Sequence, residues 1–244
     1  MNSRPLDYGF RQNPNIRTVE DTPASLYQML LSGKLDTALI SSVECIRNED
    51  KFSYCKSAGV CSKSEVSSIL YLTSDPNRAP DYFLSDNGSR TSVALLQILL
   101  YKKFGKIIPN KKSDPEKIPD QISASCAGLI IGDIAYSYNQ LKTDTGIFKI
   151  DLGKWWHDEE KLPFVYALWA YPKEKPLEDS FFEKSLEYGL SHMDDIIENS
   201  KDLKMRTYLT ETLHYRIGKE ELKALDRFKN LLLELDLLSA QNSI

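Results

Sequence analysis

Apolar residues along this chain of 244 residues follow two alternating patterns. Short β-branched runs are typical of buried strands, whereas longer segments with apolar residues at helical spacing are typical of helices. The predicted strands are 37–40, 66–73, 82–84, 106–109, 127–131 and 164–169. The predicted helices include 93–103 and, from Pro176 to the end of the chain, 177–199, 201–213 and 220–238. Strands that alternate with helices predict an α/β fold with parallel pairing and right-handed crossovers.

Polar residues mark the points where several helices should begin. Thr22 is a predicted N-cap because Pro23 follows it at the first helical position, and this helix should end at Gly33. The segment 41–44, Ser-Ser-Val-Glu, has the spacing of a capping box, so a helix should follow the strand 37–40 directly. Asp133 is the predicted N-cap of a helix that runs to Leu141.

Breaks in the strand pattern predict two lobes. Asp75-Pro76 interrupts the strand 66–73, and the strand 164–169 would return the chain to the first lobe. We therefore expect residues 1–75 and 171–244 to form lobe I and residues 76–170 to form lobe II. The C-terminal helices would then belong to lobe I.

Composition and charge narrow the class of protein. With 41% apolar residues and a formal net charge of −4, the chain is typical of a globular protein and lacks the basic face of a nucleic-acid-binding surface. Lys111 and Lys112 are predicted to lie in a solvated loop. No apolar segment reaches the roughly 18 residues of a membrane span. Residues 1–10 lack the basic start and apolar core of a secretory signal, which predicts a cytoplasmic protein.

Few residues suggest metal or nucleophilic chemistry. The four cysteines form no CxxC pair and have no neighbouring histidine, so we expect reduced thiols and no metal site. A phosphate loop, HExxH and GxSxG are absent from the sequence. The three histidines stand in charged or helical segments, which favours surface or core positions over a catalytic triad. They are His157, His192 and His214.

Hydroxyl-rich loops that follow predicted strands are the candidate binding elements. They are Ser41-Ser42, Ser89-Arg90-Thr91-Ser92 and Gly132-Asp133. In open α/β sheets, ligands bind at the carboxyl ends of strands, where helix N-termini offer free N–H groups to an anion. These loops would hold a small dicarboxylate if they faced one another. The alternative is that each serine only caps its own helix.

Several blocks, in order along nearly the whole chain, resemble the chorismate dehydratase family of the futalosine route to menaquinone. Each block alone is a weak signal, and the ordered set is specific. The blocks are Asn2-Ser3-Arg4-Pro5-Leu6 with Tyr8-Gly9; 33–36 through 41–44 with Arg47-Asn48; 89–96; 129–133; Asp151-Leu152-Gly153 with Trp156; 162–167 with Trp169; and 214–218 with Glu220 and Glu221.

The resemblance implies a two-lobed fold similar to type II periplasmic binding proteins, with a central ligand cleft. It also implies loss of water from chorismate, a small-molecule substrate, to give 3-[(1-carboxyvinyl)oxy]benzoate without a metal or organic cofactor. The family's catalytic asparagine falls on Asn2, and its active-site serine falls on Ser68, or on Ser67 in a shifted register. The candidate substrate-binding residues are Ser42, Ser67, Ser89, Arg90, Thr91, Ser92, Gly132 and Asp133.

Three positions depart from the family pattern. The family has a strand before the asparagine, and here a single residue precedes Asn2, so the expectation is either that the first lobe lacks its N-terminal strand or that the recorded start is too late. Cys45 stands where the family has an aromatic residue. Ser64-Glu65 replaces a Gly-Pro ahead of the crossover strand.

Two further functions remain open from the sequence. One is the related dihydroxynaphthoate synthase, which shares the fold, and the other is a non-catalytic protein that binds small carboxylates. The base that removes the ring proton also has two candidates. They are the substrate's own side-chain carboxylate, oriented by Asn2 and Ser68, and the carboxylate of Asp133.

Overall fold

The computed structural model describes residues 2–86, 88, 90–141, 146–198 and 203–238. Its α-helices are α1 (Arg4–Arg11), α2 (Pro23–Leu31), α3 (Ser42–Arg47), α4 (Arg90–Phe104), α5 (Gly132–Gln140), α6 (Leu152–Glu160), α7 (Asp179–Ser191), α8 (Met193–Glu198), α9 (Leu203–Thr207) and α10 (Lys219–Glu234). Its strands are β1 (Ala38–Ser41), β2 (Phe52–Ser62), β3 (Ile69–Thr73), β4 (Tyr82–Ser85), β5 (Asn110–Lys112), β6 (Cys126–Ile131), β7 (Phe148–Asp151), β8 (Phe164–Pro172) and β9 (Leu213–Arg216).

Many predicted elements are confirmed. The strands predicted at 37–40, 82–84, 127–131 and 164–169 correspond to β1, β4, β6 and β8. The Thr22 side chain accepts a hydrogen bond from the Ser25 N–H at 3.2 Å and so caps α2. The chain leaves this helix at Gly33, whose φ of 70° is a conformation that glycine adopts without steric cost.

Other elements differ from the sequence prediction. β2, β7 and α6 were not predicted, and the strand expected at 106–109 forms at Asn110–Lys112 instead. Polar residues interrupt the alternation within β2, which is a strand because it pairs with β8 on one side and β9 on the other. The expectation of helix throughout the region after Pro176 is wrong, because β9 follows the π-helical turn Tyr208–Thr212.

Strand directions also differ from the prediction of parallel pairing. Among the described strands, β4 pairs in parallel with β5 and with β6, and the other pairs are antiparallel. In one sheet β8 lies between β1 and β2 and runs opposite to both. Alternation of strands and helices therefore predicted the class of the fold but not the relative direction of most neighbouring strands.

The chain forms two compact units, each with its own sheet. Unit 1 contains the described residues up to Lys63 together with Phe164–Leu225, and its sheet order is β1-β8-β2-β9. Unit 2 contains Ser64–Pro163 and the described residues from Asp226 onward, and its sheet order is β5-β4-β6-β3-β7. The boundaries fall before the expected positions at 75 and 171, because β3 pairs within the second sheet and β8 within the first.

The core of unit 1 is built on its sheet and on a close helix pair. Ile40, Cys61 and Leu168 are fully buried in the cluster between the sheet and α2. On α1 and α7, small residues allow the backbones to approach, since a Cβ at Gly189 would overlap the carbonyl oxygen of Pro5. The buried Ser185 hydroxyl on α7 donates to the α1 backbone carbonyl of Leu6 at 2.8 Å. This contact fixes α1, the helix that follows Asn2.

Unit 2 includes the second half of α10. Phe228 packs edge-on against the buried Trp156 of α6, with ring centroids 6.2 Å apart. Arg227 Nε donates to Glu160 Oε2 at 2.7 Å, and Lys102 of α4 forms an ion pair with the same carboxylate. The C-terminal helix is thus tied to unit 2 from Asp226 onward by both packing and charge.

Replacement of Glu160 tests this charge cluster. Burial opposes ionisation, but the hydrogen bonds and charges of Arg227 and Lys102 outweigh it and lower the pKa of Glu160. A lowered pKa stabilises the fold above the unfolded-state pKa of about 4.3, and the effect is lost as the pH falls through the folded-state value. We expect Glu160→Gln to reduce the free energy of unfolding by about 1 kcal/mol at pH 7. Urea denaturation should show this difference shrinking below pH ~4, and an unchanged difference there would contradict the prediction.

Candidate active site

One edge of the unit 2 sheet gathers most of the candidate residues. β4 and β6 run in parallel, so their carboxyl ends lie at the same edge. β3 is antiparallel to β6 and pairs Ile69 with Ile131, which places the start of β3 at that edge as well. The segments that meet there are Ser67-Ser68, Gly132-Asp133 and the first turn of α4. Of the hydroxyl-rich loops named from the sequence, Gly132-Asp133 and the described residues 90–92 lie at this edge, whereas Ser41-Ser42 belongs to unit 1.

The Ser67-Ser68 turn contacts the first residue of α5 directly. The Gly132 N–H donates to the Ser68 carbonyl oxygen at 2.8 Å, and Gly132 adopts a φ of 66°. Asn139, on the same helix, approaches the Ser67 carbonyl oxygen with its side-chain amide at 3.5 Å. Ser68 is 3% exposed, whereas the Ser67 hydroxyl donates to the Glu65 carboxylate at an exposed position. Of the two serines, Ser68 is held more closely by the fold.

Asp151 is a residue of this edge that the sequence prediction did not include among the site residues. Its carboxylate accepts the N–H of Ser67 at 2.6 Å and that of Val66 at 3.1 Å, and it caps α6 by accepting the Lys154 N–H at 2.9 Å. Burial raises the pKa of Asp151, and these three backbone donors oppose the rise. An aspartate directly before a helix indicates an N-cap, but α6 itself was not predicted, and no sequence signal indicated the bonds to Ser67 and Val66.

The first turn of α4 contains three of the residues that the sequence predicted to bind substrate. Thr91 and Ser92 are 4% and 5% exposed, and Arg90 is half-buried beside them. A helix N-terminus carries a partial positive charge and free N–H groups that favour an anion. Ser89, the other predicted residue of this loop, lies outside the described residues.

Lys112 is a second residue that the sequence prediction missed. The prediction of a solvated loop is wrong for this lysine, because it is half-buried in β5 and donates to the Asp86 carbonyl oxygen at 3.0 Å. Burial lowers the pKa of Lys112, the Asp86 carboxylate raises it, and the neighbouring positive charge of Arg90 lowers it further. Lys112 pairs with Ser85, the last residue of β4, and Arg90 begins the helix that follows this strand, so both cations lie near the carboxyl end of β4. No sequence signal identified the lysine, since its burial depends on strand pairing.

Asp133 is exposed in the first turn of α5. The N-cap of that helix is Ile131, so the predicted capping role of Asp133 is wrong. The helix begins two residues earlier than predicted because the flexible Gly132 turns directly from β6 into it. Asp133 therefore follows the glycine that bonds to Ser68 and keeps its carboxylate accessible.

Asn2 and Ser42 belong to unit 1. Asn2 is exposed in the turn before α1. The Ser42 side chain is fully buried, and its hydroxyl donates to the Val165 carbonyl oxygen of β8 at 2.7 Å. Ser42 thus has a structural bond in addition to its predicted role in binding.

The predicted capping box at the start of α3 does not form. The Ser41 side chain makes no capping hydrogen bond, and the Glu44 side chain, 2% exposed, faces other partners. Arg47 donates to this carboxylate at 3.3 Å, and Asn48 donates to the Glu44 carbonyl oxygen at 2.9 Å. The Glu44 carboxylate thus pairs with a guanidinium on the same helix.

A cavity of about 350 Å³ lies beside the start of α1 within unit 1. Ser3 and Arg4 line it, together with Asp7 and Trp169. In the part of the chain that the structure describes, the buried Asp7 Oδ1 and Trp169 Nε1 atoms have no hydrogen-bond partner.

Several other features bear on the possible chemistry. The cysteines are free and buried, and burial raises the pKa of the Cys45 and Cys61 thiols. Within the described ranges, no group of three or more His, Cys, Asp or Glu side chains is arranged to hold a metal ion. Over the same ranges, no helix has the length and apolar character needed to cross a membrane.

Solved structures with low sequence identity share this fold. A protein of Archaeoglobus fulgidus superposes with a TM-score of 0.72 at 16% identity, over 97% of this chain and 94% of that one. The periplasmic aliphatic sulphonate binding protein SsuA of Escherichia coli gives 0.61 at 14% identity, over 97% and 82% of the two chains. A Candida albicans protein with the generic periplasmic binding protein fold gives 0.54 at 13% identity, over 100% and 88%. The chain therefore has the two-lobed α/β fold of the type II periplasmic binding proteins.

Sequence comparisons identify the family. A chorismate dehydratase of Campylobacter jejuni is 28% identical over 230 residues, which cover 92% of this chain and 86% of that protein. A chorismate dehydratase of Thermus thermophilus is 30% identical over 190 residues, which cover 72% and 68% of the two chains. The sequence model of a family described as menaquinone biosynthesis matches residues 1–234. This chain belongs to that menaquinone biosynthesis family.

Proposed function

We propose that this protein is a hydro-lyase that converts chorismate to 3-[(1-carboxyvinyl)oxy]benzoate and water, in the futalosine route to menaquinone. The observation that carries the proposal is the family match over residues 1–234, together with two relatives named chorismate dehydratase. The family of biosynthetic enzymes also supports a cytoplasmic location. No metal or organic cofactor takes part in the proposed reaction.

The charges at the edge of unit 2 suit a dianionic substrate. Chorismate carries two carboxylates, and the first turn of α4 presents Thr91 and Ser92 beside Arg90. Lys112 adds a half-buried cation beside Ser85, the last residue of β4. Charge-assisted hydrogen bonds of this kind are shorter and stronger than neutral ones. We assign these residues to carboxylate recognition.

The chemical step requires little acid–base catalysis by side chains of the protein. Loss of a ring hydrogen and of the hydroxyl group makes the ring aromatic, so the reaction is strongly favourable. The side chains of Asn2 and Ser68 neither gain nor lose a proton near neutral pH, so their proposed roles are orientation of the substrate and hydrogen bonding to it. The substrate's own side-chain carboxylate is the proposed base. Asp133 is the rival base, because it follows Gly132, which contacts Ser68, and its carboxylate is exposed.

The deciding experiment mixes purified protein with chorismate and follows absorbance and product by chromatography. Turnover to 3-[(1-carboxyvinyl)oxy]benzoate supports the dehydratase. A thermal shift with chorismate but without turnover would favour the carboxylate-binding protein instead. Turnover of the precursor of dihydroxynaphthoate in place of chorismate would favour the related synthase.

Substitution of Asn2 and Ser68 tests their roles in the chemical step. Asn2→Ala and Ser68→Ala should each lower kcat more than they change KM, because interactions specific to the transition state appear in kcat. The pH profile should lack a histidine-like step near pH ~6.5. Asp133→Asn is the comparison variant. Loss of turnover in folded Asp133→Asn, with Asn2→Ala nearly unaffected, would make Asp133 the base.

Substitution of Thr91 tests carboxylate recognition by α4. A hydrogen bond to a charged group contributes roughly 1.5–3 kcal/mol, so Thr91→Ala should raise KM for chorismate by about 10- to 100-fold. Thr91→Ser, which keeps the hydroxyl, should stay close to the unsubstituted protein. Steady-state kinetics checks this, and an unchanged KM in folded Thr91→Ala would reduce Thr91 to a structural residue of the helix start.

A further inference from the structure

Ser67 has an unusual backbone conformation next to the proposed catalytic serine. Its φ is 59°, a left-handed value that side chains with a Cβ rarely adopt. Among the described residues other than glycine, Lys161 and Asp236 share a positive φ, and both follow the end of a helix, where this conformation is common. Ser67 instead lies just ahead of β3, so other contacts must hold it in place.

The Asp151 carboxylate supplies those contacts. Oδ2 accepts the Ser67 N–H at 2.6 Å, and both oxygens lie 3.1 Å from the Val66 nitrogen. Oδ1 also accepts the Lys154 N–H at 2.9 Å, which anchors the carboxylate to α6. The two carboxylate oxygens of Asp151 thus accept hydrogen bonds from three backbone N–H groups. Two of these donors, Val66 and Ser67, lie at the start of the strained turn, and the third, Lys154, belongs to α6.

The turn is held from its other side as well. Ser68 accepts the Gly132 N–H through its carbonyl oxygen at 2.8 Å, and Ile69 pairs with Ile131 as β3 begins. Asp151 is the last residue of β7 and pairs with Leu70 of the neighbouring strand β3. The backbone of Ser68 is therefore fixed between a contact to α5 and a contact to the start of α6.

We propose that Asp151 is a positioning residue that holds the Ser67-Ser68 turn in its left-handed conformation and so fixes the direction of the Ser68 side chain. This inference rests on the proposed function, in which Ser68 bonds to the substrate. Asp151 acts through the backbone of the turn and touches no substrate atom. Because a misplacement of about 1 Å can cost about 100-fold in rate, a residue of this kind affects the chemical step.

A purely structural role for Asp151 would be to cap α6. The variant Asp151→Asn separates this capping role from the proposed positioning of the Ser67-Ser68 turn. Asparagine caps helices about as well as aspartate. Its amide has a single acceptor oxygen, so it cannot serve Lys154 and the two turn donors together. Asp158→Asn is the matched control, because Asp158 is an exposed aspartate of α6 whose partner is Lys154 Nζ at 2.8 Å.

We expect Asp151→Asn to lower kcat for chorismate by about 10- to 100-fold while KM changes less than about threefold. Asp158→Asn should match the unsubstituted protein in both constants. Ser67→Gly added to Asp151→Asn should recover at least about threefold in kcat, since glycine adopts positive φ without steric cost. Unchanged kcat in folded Asp151→Asn, or no recovery with glycine at position 67, would overturn the proposal.

Amide hydrogen exchange gives a readout that does not depend on turnover. The Ser67 N–H should exchange at least about tenfold faster in Asp151→Asn than in the unsubstituted protein or in Asp158→Asn. Equal exchange rates would overturn the positioning role whatever the activity. If the unsubstituted protein does not convert chorismate, the proposed function fails, and the exchange rates still decide whether Asp151 holds the turn.

Discussion

The antiparallel pairing of β3 with β6 is the constraint on which the candidate site depends. It sets Ile69 against Ile131, and this register brings the start of β3 to the carboxyl end of β6. Because β4 runs parallel to β6, the loop after β4 and the start of α4 come to the same edge. A shift of one residue in this register would turn the side chains of β3 to the opposite face and separate Ser68 from Gly132.

Positive and negative side chains lie at separate positions along this edge of the unit 2 sheet. Asp151 is a half-buried carboxylate whose oxygens accept hydrogen bonds from backbone N–H groups and so hold the chain in place. Arg90 and Lys112 lie at the end of β4, where the helix start adds its own positive potential. In the proposed function a substrate carboxylate would be attracted to the second group, while the backbone N–H donors partly offset the negative charge of Asp151. This separation would let one sheet edge hold both the strained turn and the proposed anion site.

The fold alone does not decide between catalysis and binding. Solved structures that share the fold at 13–16% identity include a periplasmic sulphonate binding protein. Function therefore has to be argued from the family match and from particular residues. The relatives named chorismate dehydratase favour catalysis, and the fixed position of Ser68 gives that hypothesis a specific geometric test.

The sequence by itself determined the fold class, the family and the strands β1, β4, β6 and β8, because compact β-branched runs and ordered motifs are local signals. It also indicated the loops that meet at the edge of unit 2. The tertiary structure decided that β2 is a strand, that β9 interrupts the C-terminal helices and that most pairs are antiparallel. Only the tertiary structure revealed that Asp151 bonds to Ser67 and that Lys112 is half-buried near Arg90. Contacts between residues far apart in the chain depend on strand register, which no local pattern of residues specifies.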